Sequence, residues 1–238
     1  MERWNGSRWT IQPTPKYHGR PAESLYLLAV SCVSANACTA VGGGVEHVLA
    51  DAGTAPLAER WNGRRWSIQP TPTRKRWVGF VDPLTGVSCA TAKSCTAVGS
   101  TTDANGPGGT GSVLIERWNG ARWTLEPGRN EPAPGSLTSQ STLSSVSCVS
   151  PMECTATGGW ETIGHTPAGN AQGTLAESWD GTRWAIQPTS PQGTGMPNLN
   201  GVSCSAASTM CTAVGSQPKD QSSLPLVEQS GAPPSAVA

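Results

Sequence analysis

Leu57-Ala-Glu-Arg-Trp-Asn-Gly-Arg-Arg-Trp-Ser-Ile-Gln-Pro70 decides the fold. Two short strand-like runs flank Asn62-Gly63, the strongest local signal for a β-hairpin, because both residues tolerate positive φ. Side chains alternate along a strand, so loop length fixes which residues face each other. A two-residue loop would set Arg60 opposite Arg65, an unfavourable like-charge pair. A four-residue loop sets Trp61 opposite Trp66 and keeps Leu57, Trp61, Trp66 and Ile68 on one face. The longer loop is therefore expected. Burial of each indole then supplies about 2–3 kcal/mol.

The same hairpin recurs. Trp-Asn-Gly-x-x-Trp spans Trp4–Trp9, Trp61–Trp66 and Trp118–Trp123, and Trp-Asp-Gly-x-x-Trp spans Trp179–Trp184, at spacings of 57, 57 and 61 residues. Between the copies lie four close cysteine pairs: Cys32 and Cys38, Cys89 and Cys95, Cys148 and Cys154, Cys204 and Cys211. Self-similarity at a fixed period marks an array of equivalent units. In the second unit, Leu84–Cys89 and Cys95–Gly99 read as one hairpin, and Ser112–Trp118 with Arg122–Glu126 as another. The expectation is four strands of about five to seven residues per unit.

The C-x5-C and C-x6-C spacings fit local disulfides better than zinc knuckles, which use shorter spacings and a second ligand pair. The three His, at 18, 47 and 165, do not repeat with the unit. Crosslinking so short a hairpin contributes about 2 kcal/mol in the chain-entropy account. Disulfides imply an oxidising compartment, hence an extracellular or cell-surface protein. Met1-Glu-Arg-Trp has neither the basic start nor the apolar core of an export signal, so a trimmed or partial chain or a piece of a longer exported protein is expected, with a cytosolic protein holding reduced thiols as the alternative.

Composition agrees with an all-β chain. Gly and Pro supply 48 of 238 residues, against one Phe and two Tyr. Such content breaks helices and favours short strands joined by turns. Net charge is zero, which leaves no electrostatic footprint for nucleic acid or an anionic membrane. The longest apolar run, Leu25–Val33, is too short to span a bilayer. Arg74-Lys75-Arg76 reads as a solvated loop.

One sheet of about 57 residues cannot bury both its faces, so the units must pack on one another. Four-stranded antiparallel units repeated around an axis are β-propeller blades. The reading is a single repeat domain over 1–229, with blades near 14–70, 71–127, 128–188 and 189–229, and a disordered tail over 230–238. The chain opens on strands three and four of a unit, 1–13. It closes on strands one and two of another plus a degenerate third strand, Leu224–Gln229. Pairing of the N- and C-terminal strands would close a ring of about four blades; a segment of a larger propeller is the alternative. Leu224–Gln229 and Met1–Trp4 compete for one strand position, since Glu228 and Glu2 share the register of Glu59, Glu116 and Glu177.

The unit Leu-x-x-Val-Ser-Cys-x5-Cys-Thr-Ala-Val-Gly, followed by Leu-Ala-Glu-Arg-Trp-Asn-Gly-x-x-Trp-x-Ile-Gln-Pro, resembles a repeat of uncharacterised exported proteins of actinobacteria. That resemblance implies a propeller-like fold and brings no activity. Ser178-Trp-Asp180-Gly181-Thr-Arg-Trp184 is more distantly similar to the Asp-box of sialidase-type propellers. It lacks the residue between Asp and Gly. In that family the box is a structural turn.

Function is weakly written. The preferred reading is a non-enzymatic exported binding module, because no catalytic residue set emerges and no cofactor or metal site is read. A monomer is expected, with a glycan, cell-wall component or protein as partner, and with no nucleic-acid partner and no membrane span. The connections that differ between units, 16–26, 73–83, 128–142 and 190–200 and again 42–56, 100–111, 158–174 and 216–223, are where binding usually resides on a rigid scaffold. Trp77 and Trp160 are the only Trp outside the hairpins, which makes them the candidate stacking contacts. The alternative is a glycoside hydrolase or lyase, which needs two converging carboxylates. The repeated Glu read as structural, and nothing selects a pair among the non-repeating acids.

Overall fold

The computed structural model describes residues 1–15, 24–48, 51–72, 81–103, 110–130, 138–163, 171–190, 195–208, 210–219 and 222–230. Every element there is a β-strand. A leading hairpin pairs β1 (Glu2–Trp4) with β2 (Trp9–Ile11). The first unit is β3 (Ser24–Ser34), β4 (Ala37–Val48), β5 (Asp51–Trp61) and β6 (Trp66–Gln69). The second is β7 (Val81–Thr91), β8 (Ser94–Asp103), β9 (Thr110–Trp118) and β10 (Trp123–Glu126). The third is β11 (Thr138–Ser150), β12 (Glu153–Ile163), β13 (Gln172–Trp179) and β14 (Trp184–Gln187). The fourth holds β15 (Asn198–Cys204), β16 (Cys211–Lys219) and β17 (Ser222–Ser230). Each unit is antiparallel in sequence order, and one parallel bridge, Gln140 to Gly111, joins the second and third sheets.

The hairpin register follows the like-charge argument. Trp4 pairs with Trp9, Trp61 with Trp66, Trp118 with Trp123 and Trp179 with Trp184. Each four-residue loop turns on a glycine with φ between 92° and 103°. The preceding side-chain oxygen holds the turn: Asn62 Oδ1 accepts from the N–H groups of Arg64 and Arg65, both at 3.0 Å. Asp180 serves equally well, because the turn needs only an acceptor. The Thr182 hydroxyl and the N–H groups of Arg183 and Thr182 hold its carboxyl down at about 2.

All four cysteine pairs are disulfides: Cys32 to Cys38, Cys89 to Cys95, Cys148 to Cys154 and Cys204 to Cys211. Each joins residues directly opposite in the first hairpin of its unit. Their surroundings are not equivalent. Cys95, Cys154 and Cys211 are buried, whereas Cys38 is only half-buried. The reason is the neighbour. Thr39, Thr96 and Thr155 of the preceding units set their hydroxyls 3.6, 3.7 and 3.2 Å from the sulfurs of Cys95, Cys154 and Cys211. Cys38 belongs to the first unit, and among the described residues no threonine hydroxyl stands beside its sulfur. It packs instead at the edge of the small cluster of Ala40, Trp61 and Trp66.

Strands one to three are longer than expected: β4 has 12 residues and β11 has 13. The stretch 42–56, taken from its Gly and Pro as a loop, is mostly ladder, with Gly43 opposite Pro56 and Gly44 opposite Ala55. The glycines serve close approach. Strand one carries a bulge in every unit, between Leu27 and Ala29 in the first. The bulge drives a carbonyl toward the Gly that ends Cys-Thr-Ala-(Val/Thr)-Gly. A Cβ on Gly42, Gly158 or Gly215 would collide with the oxygen of Tyr26, Thr142 or Asn198. Gly158→Ala is expected to cost about 2 kcal/mol in urea unfolding, the range for forced overpacking. Gly201→Ala, whose Cβ would find Val214 at 3.4 Å, should stay within about 0.5 kcal/mol.

Successive sheets pack face to face. Strand one of each unit lies across the preceding sheet: β7 on β3, β4 and β5, and β11 on β7, β8 and β9. The core therefore sits at the junctions. Val41 and Ala58 of the first unit pack with Leu84, Val87, Trp118 and Trp123 of the second. Val98 and Ile115 repeat this against Leu143, Val146, Trp179 and Trp184 of the third. Both faces of strand three are thus covered, and Leu57, Ala58 and Glu59 are all buried.

The chain ends differ from the expected ring closure. β1 pairs with β2, while β17 takes the third-strand place beside β16, with Glu228 opposite Ala213 as Glu59 is opposite Ala40. No strand pair among the described residues joins the N- and C-terminal strands. Instead the leading hairpin rests on the first unit, through Met1 against Trp61 and Trp66 and a hydrogen bond from Trp66 Nε1 to Gln12 Oε1 at 3.1 Å. Of the tail expected over 230–238, Ser230 completes β17 and 231–238 lie outside the described residues.

Candidate functional site

The antiparallel order sorts the connections by end. Every cysteine loop and every Trp turn falls at one end of its sheet. Every connection that varies between units falls at the other.

The constant end is stitched across junctions. Arg60 lies 4.5 Å from the Trp118 ring centroid and donates to the Ala92 carbonyl at 2.6 Å. Arg117 does the same at Trp179, 4.2 Å away, and the Pro151 carbonyl, 2.7 Å away. Burial lowers the pKa of both guanidinium groups from the usual arginine value. Arg3 takes the same place over Trp61, at 5.5 Å. Deeper in, the serine of each Val-Ser-Cys accepts from the next unit's cysteine N–H: Ser31 from Cys89, Ser88 from Cys148 and Ser147 from Cys204, at 2.9–3.0 Å. These contacts commit Arg60, Arg117 and the repeated serines to joining units.

At the variable end stands Trp160, near the end of β12. Its indole covers Gly173 on β13, where a Cβ would meet Nε1 at 2.8 Å, and its apolar side packs on the third unit's core. The residue is half-buried. Trp77 lies outside the described residues, as does part of every variable connection.

The repeated Glu are more unusual than the sequence suggests. Glu59, Glu116 and Glu177 are buried at three successive junctions. Desolvation raises all three, to about 8 for Glu116 and about 7 for Glu177. The difference comes from the residue six places after the second Trp of the preceding hairpin. Arg129 stands there before Glu177 and donates its N–H to Oε2 at 3.0 Å. Ser190 stands there before Glu228 and does likewise at 3.2 Å, helped by the Thr174 hydroxyl at 3.2 Å. Before Glu59 and Glu116 the same place holds Pro15 and Pro72, which have no N–H to give. Both oxygens of Glu116 accordingly lack a partner. Neutral, protonated carboxyls suit such sites. They are separated by whole junctions, so they do not converge as a catalytic pair.

Two concave regions flank the series. A cleft of about 290 Å³ opens between the third and fourth units, lined by Thr157, Ala176, Trp179 and Gln187, with Glu153 and Glu228 at its wall. A groove of about 480 Å³ runs along β3 beside Met1 and Glu59. Among the described residues no cluster of His, Cys, Asp and Glu has the makings of a metal site, and no helix is long and apolar enough to cross a membrane. No protein-family model matches the chain, and no curated protein matches it.

Proposed function

We propose that this chain is an exported, non-enzymatic binding module whose units stand as propeller-like blades and present a ligand site at their variable end. The ligand class is a glycan, a cell-wall component or a protein. The separation of ends carries the reading. Repeated arginines and serines at the constant end join neighbouring units, while sequence differences gather in the connections at the opposite end. Four disulfides within 238 residues support an oxidising, extracellular setting. Trp160 is a partly exposed ring of the kind that stacks on sugars or aromatic side chains.

The test is a glycan array together with co-sedimentation on bacterial cell-wall sacculi. A specific ligand is expected, bound at least about tenfold more weakly by a Trp77→Ala/Trp160→Ala chain. Binding that survives this double change but is lost on altering Arg64 and Arg65, in a constant-end turn, would refute the placement.

One observation favours a hydrolase instead: Glu153 and Glu228 both line the cleft between the third and fourth units. Turnover of a glycan substrate, abolished by Glu153→Gln with the fold intact, would establish that reading.

A further inference from the structure

Three junctions in this chain share one design, and two surfaces carry the halves of a fourth. The first two interior junctions bury the fourth residue of Cys-Thr-Ala-Val-Gly and the residue before the repeated Glu. Val41 with Ala58 and Val98 with Ile115 are fully covered by the following unit. In the fourth unit the same places hold Val214 and Val227, which are 49% and 63% exposed. The complementary face is on the first unit. Val87 and Val146 are buried against the unit before them, yet their equivalent Val30 is exposed, with Leu28 beside it along the β3 groove. Cys38 is half-open on the same face, where Cys95, Cys154 and Cys211 are covered.

The Trp hairpins show the same pattern. Trp118/Trp123 and Trp179/Trp184 are buried against the preceding unit. Trp4 and Trp9 keep the same mutual geometry, 5.8 Å between centroids, but stand in solvent. In the fourth unit Ser230 sits where the first Trp of a hairpin belongs, and the 290 Å³ cleft opens where the pair would pack. The cleft wall offers Thr157 and Ala176, the counterparts of Val41 with Ala58, which receive Trp118 and Trp123 two junctions earlier. Glu2 has the register of Glu228, so β1 can pair with β16 as β17 does.

We propose that the β1–β2 hairpin of one copy of this chain docks on β16 of a second copy in place of β17, seating Trp4 and Trp9 in the cleft between the third and fourth units. The exchange continues an interface already made within the chain. The second copy's β15–β16 enters the groove along β3, which covers Val214 with Val30 and Leu28. It also sets Ser203 Oγ beside the Cys32 N–H, the next rung of the serine ladder. Thr212 then reaches the Cys38 sulfur, as Thr39, Thr96 and Thr155 reach their cysteines. Within one chain, the hairpin is anchored on the first unit, and no strand pair among the described residues links it to the fourth. A second copy satisfies both surfaces with that anchor kept. The contact is head-to-tail, so it closes into a ring or extends as a filament according to its rotation.

Sedimentation velocity of the full chain between about 1 and 100 µM tests this, alongside acrylamide quenching of Trp fluorescence. The mass should at least double with concentration while quenching falls. Trp4→Ala/Trp9→Ala and Val214→Arg alter exposed side chains, so each should fold as the wild type by circular dichroism. Each should weaken self-association about a hundredfold or more. Mixing the two variants should restore a one-to-one complex, since each retains the half that the other has lost. A monomer at all concentrations with Trp4 and Trp9 open to quencher overturns the proposal. So does a monomer that shields them, which would mean closure within one chain, and so does a dimer indifferent to both variants.

Discussion

At pH 8.5 the Glu116→Gln chain is expected to outlast the wild type in urea by several kcal/mol, on the order of 4, while at pH 5 the two should agree within about 1 kcal/mol. The sign follows from the proton. The unfolded carboxyl titrates near 4.5, and the folded one near 8, because burial without a partner penalises the charge. Below 4.5 both states hold the proton and the folded state carries no penalty. Between 4.5 and about 8 the unfolded chain releases its proton and the folded chain does not. Stability therefore falls as pH rises, by about 1.4 kcal/mol per unit for this group. Above 8 the loss is complete. Glu177 adds a smaller fall that ends near 7. The chain should therefore be most stable in mild acid. Urea midpoints at pH 5, 7 and 8.5, followed by Trp fluorescence without reductant, decide the matter. Parallel curves for wild type and Glu116→Gln across that range would show that the carboxyl is not buried as described. Pro72→Ala supplies the missing N–H and should move Glu116 toward the behaviour of Glu177.

How much of this is legible in the chain depends on whether a neighbour in sequence or a neighbour in space decides the outcome. The Trp turns are local, and one like-charge pair, Arg60 against Arg65, suffices to choose the loop length and with it the facing of every indole. The disulfides are local too, since five or six intervening residues leave few alternatives. Their burial is not: Cys38 and Cys95 sit in the same motif, and only the threonine of an earlier unit tells them apart. The long strands are not local either. Gly42–Gly44 look like a loop until the bulge opposite them is known to press a carbonyl into the space a side chain would need. The buried Glu fail for a related reason. Alternation assigns one face of a strand to solvent, but in a stack of sheets both faces of strand three are covered, so parity no longer separates Glu59 from Ala58. The contrast between Pro72 and Arg129 is plainly present in the chain. It acquires meaning only when the segment after strand four is seen to lie over the next unit's carboxyl. Trp160 stands apart from the hairpins in sequence, yet only its seat over Gly173 shows that part of its surface is already committed.

Trp184→Ala and Trp9→Ala should differ more than any other pair of equivalent substitutions. Both residues are the second Trp of a hairpin with the same register and the same 5.8 Å between ring centroids. Trp184 is 1% exposed against Val98 and Ile115 of the second unit, whereas Trp9 is 64% exposed. Removing the buried indole leaves a cavity between two sheets that are pinned by disulfides and cannot collapse far, so a loss of about 3–5 kcal/mol is expected. Removing the exposed one in dilute solution should cost under about 1 kcal/mol. Thermal unfolding at about 1 µM isolates this difference, because self-association is weakest there. Equal losses at both positions would mean that hairpin propensity, and not packing against the preceding unit, stabilises the repeat. At higher concentration the small cost at Trp9 should grow if a second copy covers that ring, while the cost at Trp184 stays fixed. The concentration dependence thus separates an indole buried by its own chain from one buried by a neighbour, on two side chains that the local sequence makes alike.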